Sequence, residues 1–334
     1  MTAPSRFLHQ TLACFDRAGE QAGLTEQVIS VGGVAVRLRV AGPGVADALF
    51  EGLAAAPAEQ EPQVVLSAFD TATGGEVPPA PPWSVHDYRP RDEVADFAEG
   101  RWRAAYSLNR ATLWFPDTAT GRGVGWLRDA AGLSAWERER PWRVALHWAL
   151  PPFGVHIVHA AAVGEVLVAG PPGAGKSTTA LAAAAGGLPL VADDYVALGE
   201  EAKGAWSAHG IYRWAKIGPE ALELLGHAAP EPADSEDPKR RVPIPEATAA
   251  TRLRAVVVPR RAERTGEPVP LSPAQALRAL APSTLMQAPG RDPAGPRALG
   301  RLVRALPAYT LEVGPDVERI SSAVAAAAAI PAAA

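Results

Sequence analysis

The chain has one cysteine, Cys14, in 334 residues. A single thiol cannot build an internal disulfide framework or a thiolate metal cluster, and this suits a reducing compartment. No apolar stretch reaches the roughly 18 residues that a membrane span needs. The start, Met1 to Arg17, is polar and mixed and has no apolar segment of the signal-peptide kind. Cytoplasmic residence and no membrane partner are the expectations that follow. Aromatic residues are few, at 6%, and the formal net charge is only −4. That balance, with no basic stripe, argues against nucleic acid as a partner. No internal repeat is visible. Cys14 reads as a small apolar residue on an N-terminal helix.

What is present is ordinary for a globular chain: 48% hydrophobic and 20% charged residues, enough to bury one or two full cores. Residues 1–150 read as a β-rich α+β N-terminal domain. Val28 to Val40 suggests two strands around Gly32-Gly33, Ala46 to Ala55 a short helix, and Gln63 to Asp70 another strand. Pro78 to Pro82 is a stiff proline-rich loop. Arg103 to Phe115 and Gly123 to Leu127 suit strands near a sheet edge. Seven of the nine tryptophans fall in this half, and packing explains them better than a ligand does. A short helix, Pro141 to Leu150, leads into residues 151–334, where the motifs lie. In that half, Leu188 to Leu198 reads as a strand and residues 228–246, rich in proline and charge, as a mobile loop. Leu253 to Pro259 and Pro307 to Val313 read as strands. Ser272 to Leu280 reads as a helix, and the alanine-rich run Ile320 to Ala334 as a terminal one with a frayed end.

Gly170-Pro171-Pro172-Gly173-Ala174-Gly175-Lys176-Ser177 fits the Walker A pattern. The apolar run Val166 to Ala169 before it reads as a buried strand, and the run Thr178 to Ala185 after it reads as a helix. Glycines let the backbone wrap a phosphate chain. The amides at the helix start point at the anion, and the helix dipole favours it. Lys176 then reaches the terminal phosphates, and the Ser177 hydroxyl suits Mg²⁺.

Asp193-Asp194 follows, one helix and one returning strand downstream of the loop. An apolar strand seldom carries two carboxylates without a partner. One carboxylate there suits Mg²⁺, and a second suits removal of a proton from an attacking hydroxyl. Neighbours on a strand point to opposite faces, so both reach one site only if the chain bends. His156 and His159 precede the Walker strand and, at their spacing, also face opposite ways. Only one can serve the site, by holding or tuning a base. Arg213, Lys216, Lys239, Arg240 and Arg241 are cations suited to clamping a phosphoryl group.

Three stretches in this order, His159-Ala160-Ala161-Ala162-Val163, Gly170 to Leu181 and Leu190-Val191-Ala192-Asp193-Asp194-Tyr195, resemble the bacterial HPr kinase/phosphorylase group. More closely, they resemble its relatives found beside peptide-modification genes, including lasso-peptide precursor kinases. The resemblance spans His159 to Leu198. It implies an α/β fold whose P-loop kinase domain has a mixed sheet like that of phosphoenolpyruvate carboxykinase. It implies ATP as donor, held by Gly170 to Thr178, and Mg²⁺ held by Ser177 and Asp193. Asp194 would accept the proton, with Lys176 on the phosphates and His159 paired to the base. The acceptor implied is a serine on a peptide or small protein, and HPr-type members form hexamers, so a homo-oligomer is among the implied assemblies. The family's downstream Glu-Ile-Arg-Gly signature is absent. His209-Gly210-Ile211-Tyr212-Arg213 stands near its place without the acidic residue, which removes support for phosphorolysis and for HPr as acceptor. A kinase of a free amino acid or sugar, and a nucleotide-binding switch that transfers nothing, are the alternatives.

Overall fold

Phe7, Leu8, Thr11, Cys14, Phe15 and Ala18 recur at helical spacing and form the buried face of α1 (Ala3–Ala22). The Thr2 hydroxyl caps that helix, accepting from the Ser5 N–H at 3.4 Å. The structure is a computed structural model that describes residues 1–201, 204–226, 239–244, 248–287 and 294–330. Among these residues the chain divides into two compact units, Met1–Val155 and the remainder from His156 onward. Both are mixed α/β. No helix among the described residues is long and apolar enough to cross a membrane.

In the first unit, β1 (Leu24–Val31) and β2 (Val34–Ala41) form an antiparallel hairpin around Gly32-Gly33. After them come α2 (Pro43–Phe50), β3 (Val64–Asp70) and the single turn α3 (Thr71–Gly74). The proline at the first turn starts α2 earlier than the 46–55 span the sequence suggests. β4 (Ala105–Ser107), β5 (Thr112–Asp117) and β6 (Arg122–Leu127) complete a mixed sheet of order β1-β2-β3-β6-β5-β4. β6 therefore lies inside the sheet, between β3 and β5, and not near an edge. Its aromatics signal burial: Trp126 is 9% exposed, and its indole N–H donates to the Thr71 hydroxyl at 2.8 Å. Phe115 meets Phe7 edge-on at 5.0 Å and stacks with Trp102 at 5.8 Å, so these rings are core. Two short helices, α4 (Ala135–Glu139) and α5 (Arg143–Ala149), close this unit.

Asp117 ties the end of β5 together. Its buried carboxylate accepts two bonds from Arg101, at 2.7 and 2.8 Å, one from the Ala119 N–H and one from Thr120. Burial alone would raise its pKa. The Arg101, Thr120 and Ala119 donors outweigh that and hold it below the ordinary 3.8. A depressed carboxylate stabilises the fold above its unfolded pKa, and that stability is lost as pH falls through its folded value. Asp117→Asn is expected to cost about 1–3 kcal/mol at neutral pH. In thermal melts the gap between variant and wild type should shrink below about pH 4. A gap independent of pH would contradict this assignment.

The second unit is built on a six-stranded sheet. Its strands are β8 (Ala161–Val163), β9 (Val166–Val168), β10 (Leu190–Ala192), β16 (Ala255–Arg261), β17 (Val269–Leu271) and β18 (Ala308–Val313). They lie in the order β10-β8-β9-β16-β18-β17. Directions are mixed: β9, β16 and β18 run parallel, while β8 and β17 run against them. Leu167 and Val256 face one side and pack against α8 (Pro273–Gln287) and α9 (Ala294–Ala305). Val166, Val168 and Val257 face the other and pack against α6 (Lys176–Ala185) and α10 (Val317–Ala329). Apolar residues on both faces mark a sheet covered on both sides.

A second sheet contains β7 (Val155–Val158), β11 (Val196–Glu200), β12 (Trp206–Gly210) and β15 (Ala250–Leu253), in the order β15-β12-β11-β7. A two-stranded ribbon pairs β13 (Trp214–Ile217) with β14 (Arg240–Pro243), and α7 (Pro219–Leu224) follows β13. Three expectations change. Leu188 to Leu198 holds two strands in different sheets. Arg240 to Pro243, inside the expected loop 228–246, is strand; residues 228–238, 245 and 246 lie outside the described residues. The terminal helix ends at Ala329, capped by Ile330 in an extended conformation, and residues 331–334 lie outside the described ones.

Candidate active site

The loop after β9 carries two glycines in the left-handed region, Gly173 at φ 80° and Gly175 at φ 99°. A Cβ at either would meet nothing within 4 Å, so glycine is required by backbone angle and not by space. Pro171, Pro172 and Gly173 are exposed, while Ala174 is half-buried. α6 then starts at Lys176, with Gly175 as its cap and no side chain capping the first turn. Ser177 and Thr178 lie in that turn. The start of α6 thus presents main-chain N–H groups to whatever the loop encloses.

Lys176 is only 8% exposed. Its ammonium donates to the Gly170 carbonyl at 3.0 Å and the Pro171 carbonyl at 3.3 Å. Burial pushes its pKa below the ordinary 10.5; Asp194 and then Asp193 pull it partly back, and Lys239 adds to the lowering. The acidic pair and the residue just before β14 therefore act on the same ammonium.

The acidic pair comes to the loop because the chain changes sheets there. β7 to β8 passes from the four-stranded sheet to the six-stranded one, and β10 to β11 passes back. His159 sits at the first crossing and Asp193-Asp194 at the second. The bend is local: Asp194 has φ 69°, and the Tyr195 N–H donates to the Asp193 carbonyl at 2.8 Å. A non-glycine residue held there stores strain of the kind found at working sites. The bend lets two adjacent carboxylates serve one region, which a straight strand forbids.

His159 Nε2 lies 2.9 Å from Asp194 Oδ1. The other ring nitrogen, Nδ1, lies 3.2 Å from the Gln287 amide nitrogen. The Tyr195 hydroxyl donates to Gln287 Oε1. The His159 N–H donates to the Thr284 hydroxyl at 3.1 Å. α8 thus supplies two contacts to His159 that sequence reading missed. No local pattern marks them, since Gln287 is 128 residues away in the chain. Of the two histidines, His159 reaches the acidic pair, while His156 stays buried within β7.

Asp193 is 2% exposed, and its Oδ2 accepts the Lys216 N–H at 3.2 Å, which ties β13 to the bend. Lys216 pairs across the ribbon with Arg241, whose guanidinium lies 4.0 Å from the centre of the Trp214 ring. Arg213 is exposed. His209 on β12 contacts the Ser207 hydroxyl at 2.9 Å and belongs to the second sheet, not to the loop.

The donor set fits Mg²⁺. The Ser177 hydroxyl and the Asp193 carboxylate are hard oxygen ligands, and Mg²⁺ characteristically takes one or two carboxylates and completes its shell with phosphate and water. Among the described residues no group of three His, Cys, Asp or Glu forms an all-protein cage. The glycine-lined loop with its buried lysine likewise fits a polyphosphate.

No family model matches this chain, and no curated protein matches it. Among solved structures the chain is similar to the Hpr(Ser) kinase/phosphatase from Coxiella burnetii, at 16% identity over 45% of this chain and 88% of that one, with a TM-score of 0.22. A likeness at that level shows nothing about activity.

Proposed function

We propose that the second unit is an ATP- and Mg²⁺-dependent kinase that phosphorylates a serine hydroxyl on a peptide or small protein. The supporting observation is the His159–Asp194 pair at 2.9 Å, set by a left-handed bend within electrostatic reach of Lys176. A base beside a phosphate-binding loop is what transfer to a hydroxyl requires, because catalysis there is mostly positioning and charge stabilisation. Asp194 takes the hydroxyl proton as the oxygen attacks the terminal phosphorus, and the bond to the departing diphosphate breaks. The first-turn N–H groups of α6 and the Lys176 ammonium receive the phosphate charge. Mg²⁺, held by Ser177 and Asp193, would neutralise charge on the phosphates. His159 holds Asp194 in place. Serine as acceptor follows the HPr-kinase resemblance of the motifs.

The full chain, incubated with ATP, Mg²⁺ and candidate peptides, is expected to form ADP and to add one phosphate to a serine, read by mass spectrometry. Phosphate on a free amino acid or sugar, with none on peptides, would move the acceptor to small molecules. Nucleotide binding with no transfer to any acceptor would overturn the kinase reading.

A further inference from the structure

The hydrogen bonds around His159 have only one consistent direction. An amide nitrogen donates and cannot accept, so with Gln287 facing Nδ1 a neutral imidazole carries its proton on Nε2, the nitrogen that meets Asp194 Oδ1. In a neutral imidazole Nδ1 is then an acceptor, and the group facing it must donate. Gln287 meets it with its amide nitrogen, which turns Oε1 the other way. Oε1 receives the Tyr195 O–H. Donors run from Tyr195 to Gln287 to His159 to Asp194, and Tyr195 is bonded in the chain to Asp194. The circuit closes on the residue it serves. Reversing any one bond forces a mismatch at the next, because a neutral ring offers one donor and one acceptor.

We propose that Gln287 and Tyr195 are positioning residues that set His159 as an Nε2–H donor and so hold the Asp194 carboxylate aimed at the acceptor. This role rests on the kinase reading of the site. Packing holds the tyrosine ring in place. Tyr195 is 4% exposed and lies on the His159 ring at 5.6 Å and the Tyr212 ring at 6.4 Å. The Thr284 contact fixes the His159 backbone from the same helix, so α8 sets both the place and the proton of the histidine.

The test is an imidazole nitrogen spectrum of the full chain labelled with ¹⁵N-histidine. The chain has 7 histidines, and a His159→Gln spectrum assigns the signal. Wild type is expected to show His159 protonated at Nε2 and bare at Nδ1. Gln287→Leu should lose that pattern, giving a mixture or Nδ1–H, and Gln287→Glu should protonate both nitrogens. Tyr195→Phe removes one hydroxyl and keeps the ring, so it should shift the pattern less while the fold survives. In transfer assays Gln287→Leu should lower kcat about tenfold or more, with KM for the nucleotide unchanged. A purely structural glutamine would not move the tautomer. Wild-type nitrogen shifts in Gln287→Leu, or Nδ1–H in the wild type, would overturn the proposal. A chain that transfers no phosphate would defeat the kinase reading, while the nitrogen spectrum would still decide the circuit by itself.

Discussion

Asp194→Asn is expected to lower the rate of phosphoryl transfer by about 10²–10⁴-fold, the range associated with removing a general base. Nucleotide affinity should change little. Asparagine keeps the volume and tolerates the φ of 69° at this bend, so the loss should be chemical and not conformational. It replaces a carboxylate oxygen that accepts from His159 at 2.9 Å with an amide that cannot take the hydroxyl proton. Steady-state kinetics and calorimetry on one preparation separate the two effects. A variant that keeps wild-type kcat would remove Asp194 from the chemistry. Transfer would then proceed without this carboxylate as base.

Lys176→Met is expected to weaken nucleotide binding by about 10- to 100-fold, the equivalent of one charge-assisted hydrogen bond. The same change should leave the ligand-free protein at least as stable as wild type at neutral pH. The reason is the lowered pKa: burial opposes the ammonium, and Asp194 and Asp193 only partly restore it. Methionine has a similar length and no charge to desolvate. The pH dependence follows from linkage. Between the lowered folded value and the ordinary 10.5, the unfolded chain binds more protons than the folded one. Wild-type stability therefore rises with pH across that window, and the variant lacks this rise. Melts at neutral pH and near about pH 10 should show the variant's advantage shrinking. A variant that is much less stable yet binds nucleotide normally would contradict both expectations.

The parts of the site legible in the sequence are those encoded locally. The loop's backbone angles need glycine, and Gly173, Gly175, Lys176 and Ser177 stand at the offsets a phosphate loop demands. Asp193-Asp194 is legible because carboxylates in an apolar run demand a reason. Their bend is not, since it arises where β10 leaves one sheet and β11 joins another. Gln287 and Thr284 are hidden for a similar reason. They meet His159 only through the packing of α8, and an amide on a helix carries no mark of its partner. In the ribbon, charge-rich composition conceals β14: Arg240 and Arg241 read as loop, yet cross-strand pairing and the Trp214 ring hold them in a sheet. α9 does carry a signal. Ala298, Leu299, Leu302 and Val303 are buried at helical spacing. In the first unit, the pattern of β6 suggests a place near an edge, as it does rightly for β5, because alternation alone does not tell an interior strand of a mixed sheet from a border one.

The loop at Gly170–Ser177 is expected to enclose a triphosphate whose end faces Asp194. The most direct measurement is a crystal structure of the full chain with Mg²⁺ and a non-hydrolysable ATP analogue. The expected result places the terminal phosphate against Lys176 Nζ and the first turn of α6, with the Asp194 carboxylate beside the open approach to its phosphorus. A nucleotide bound elsewhere, or an Asp194 carboxylate turned away beyond reach of any acceptor at that phosphate, would contradict it.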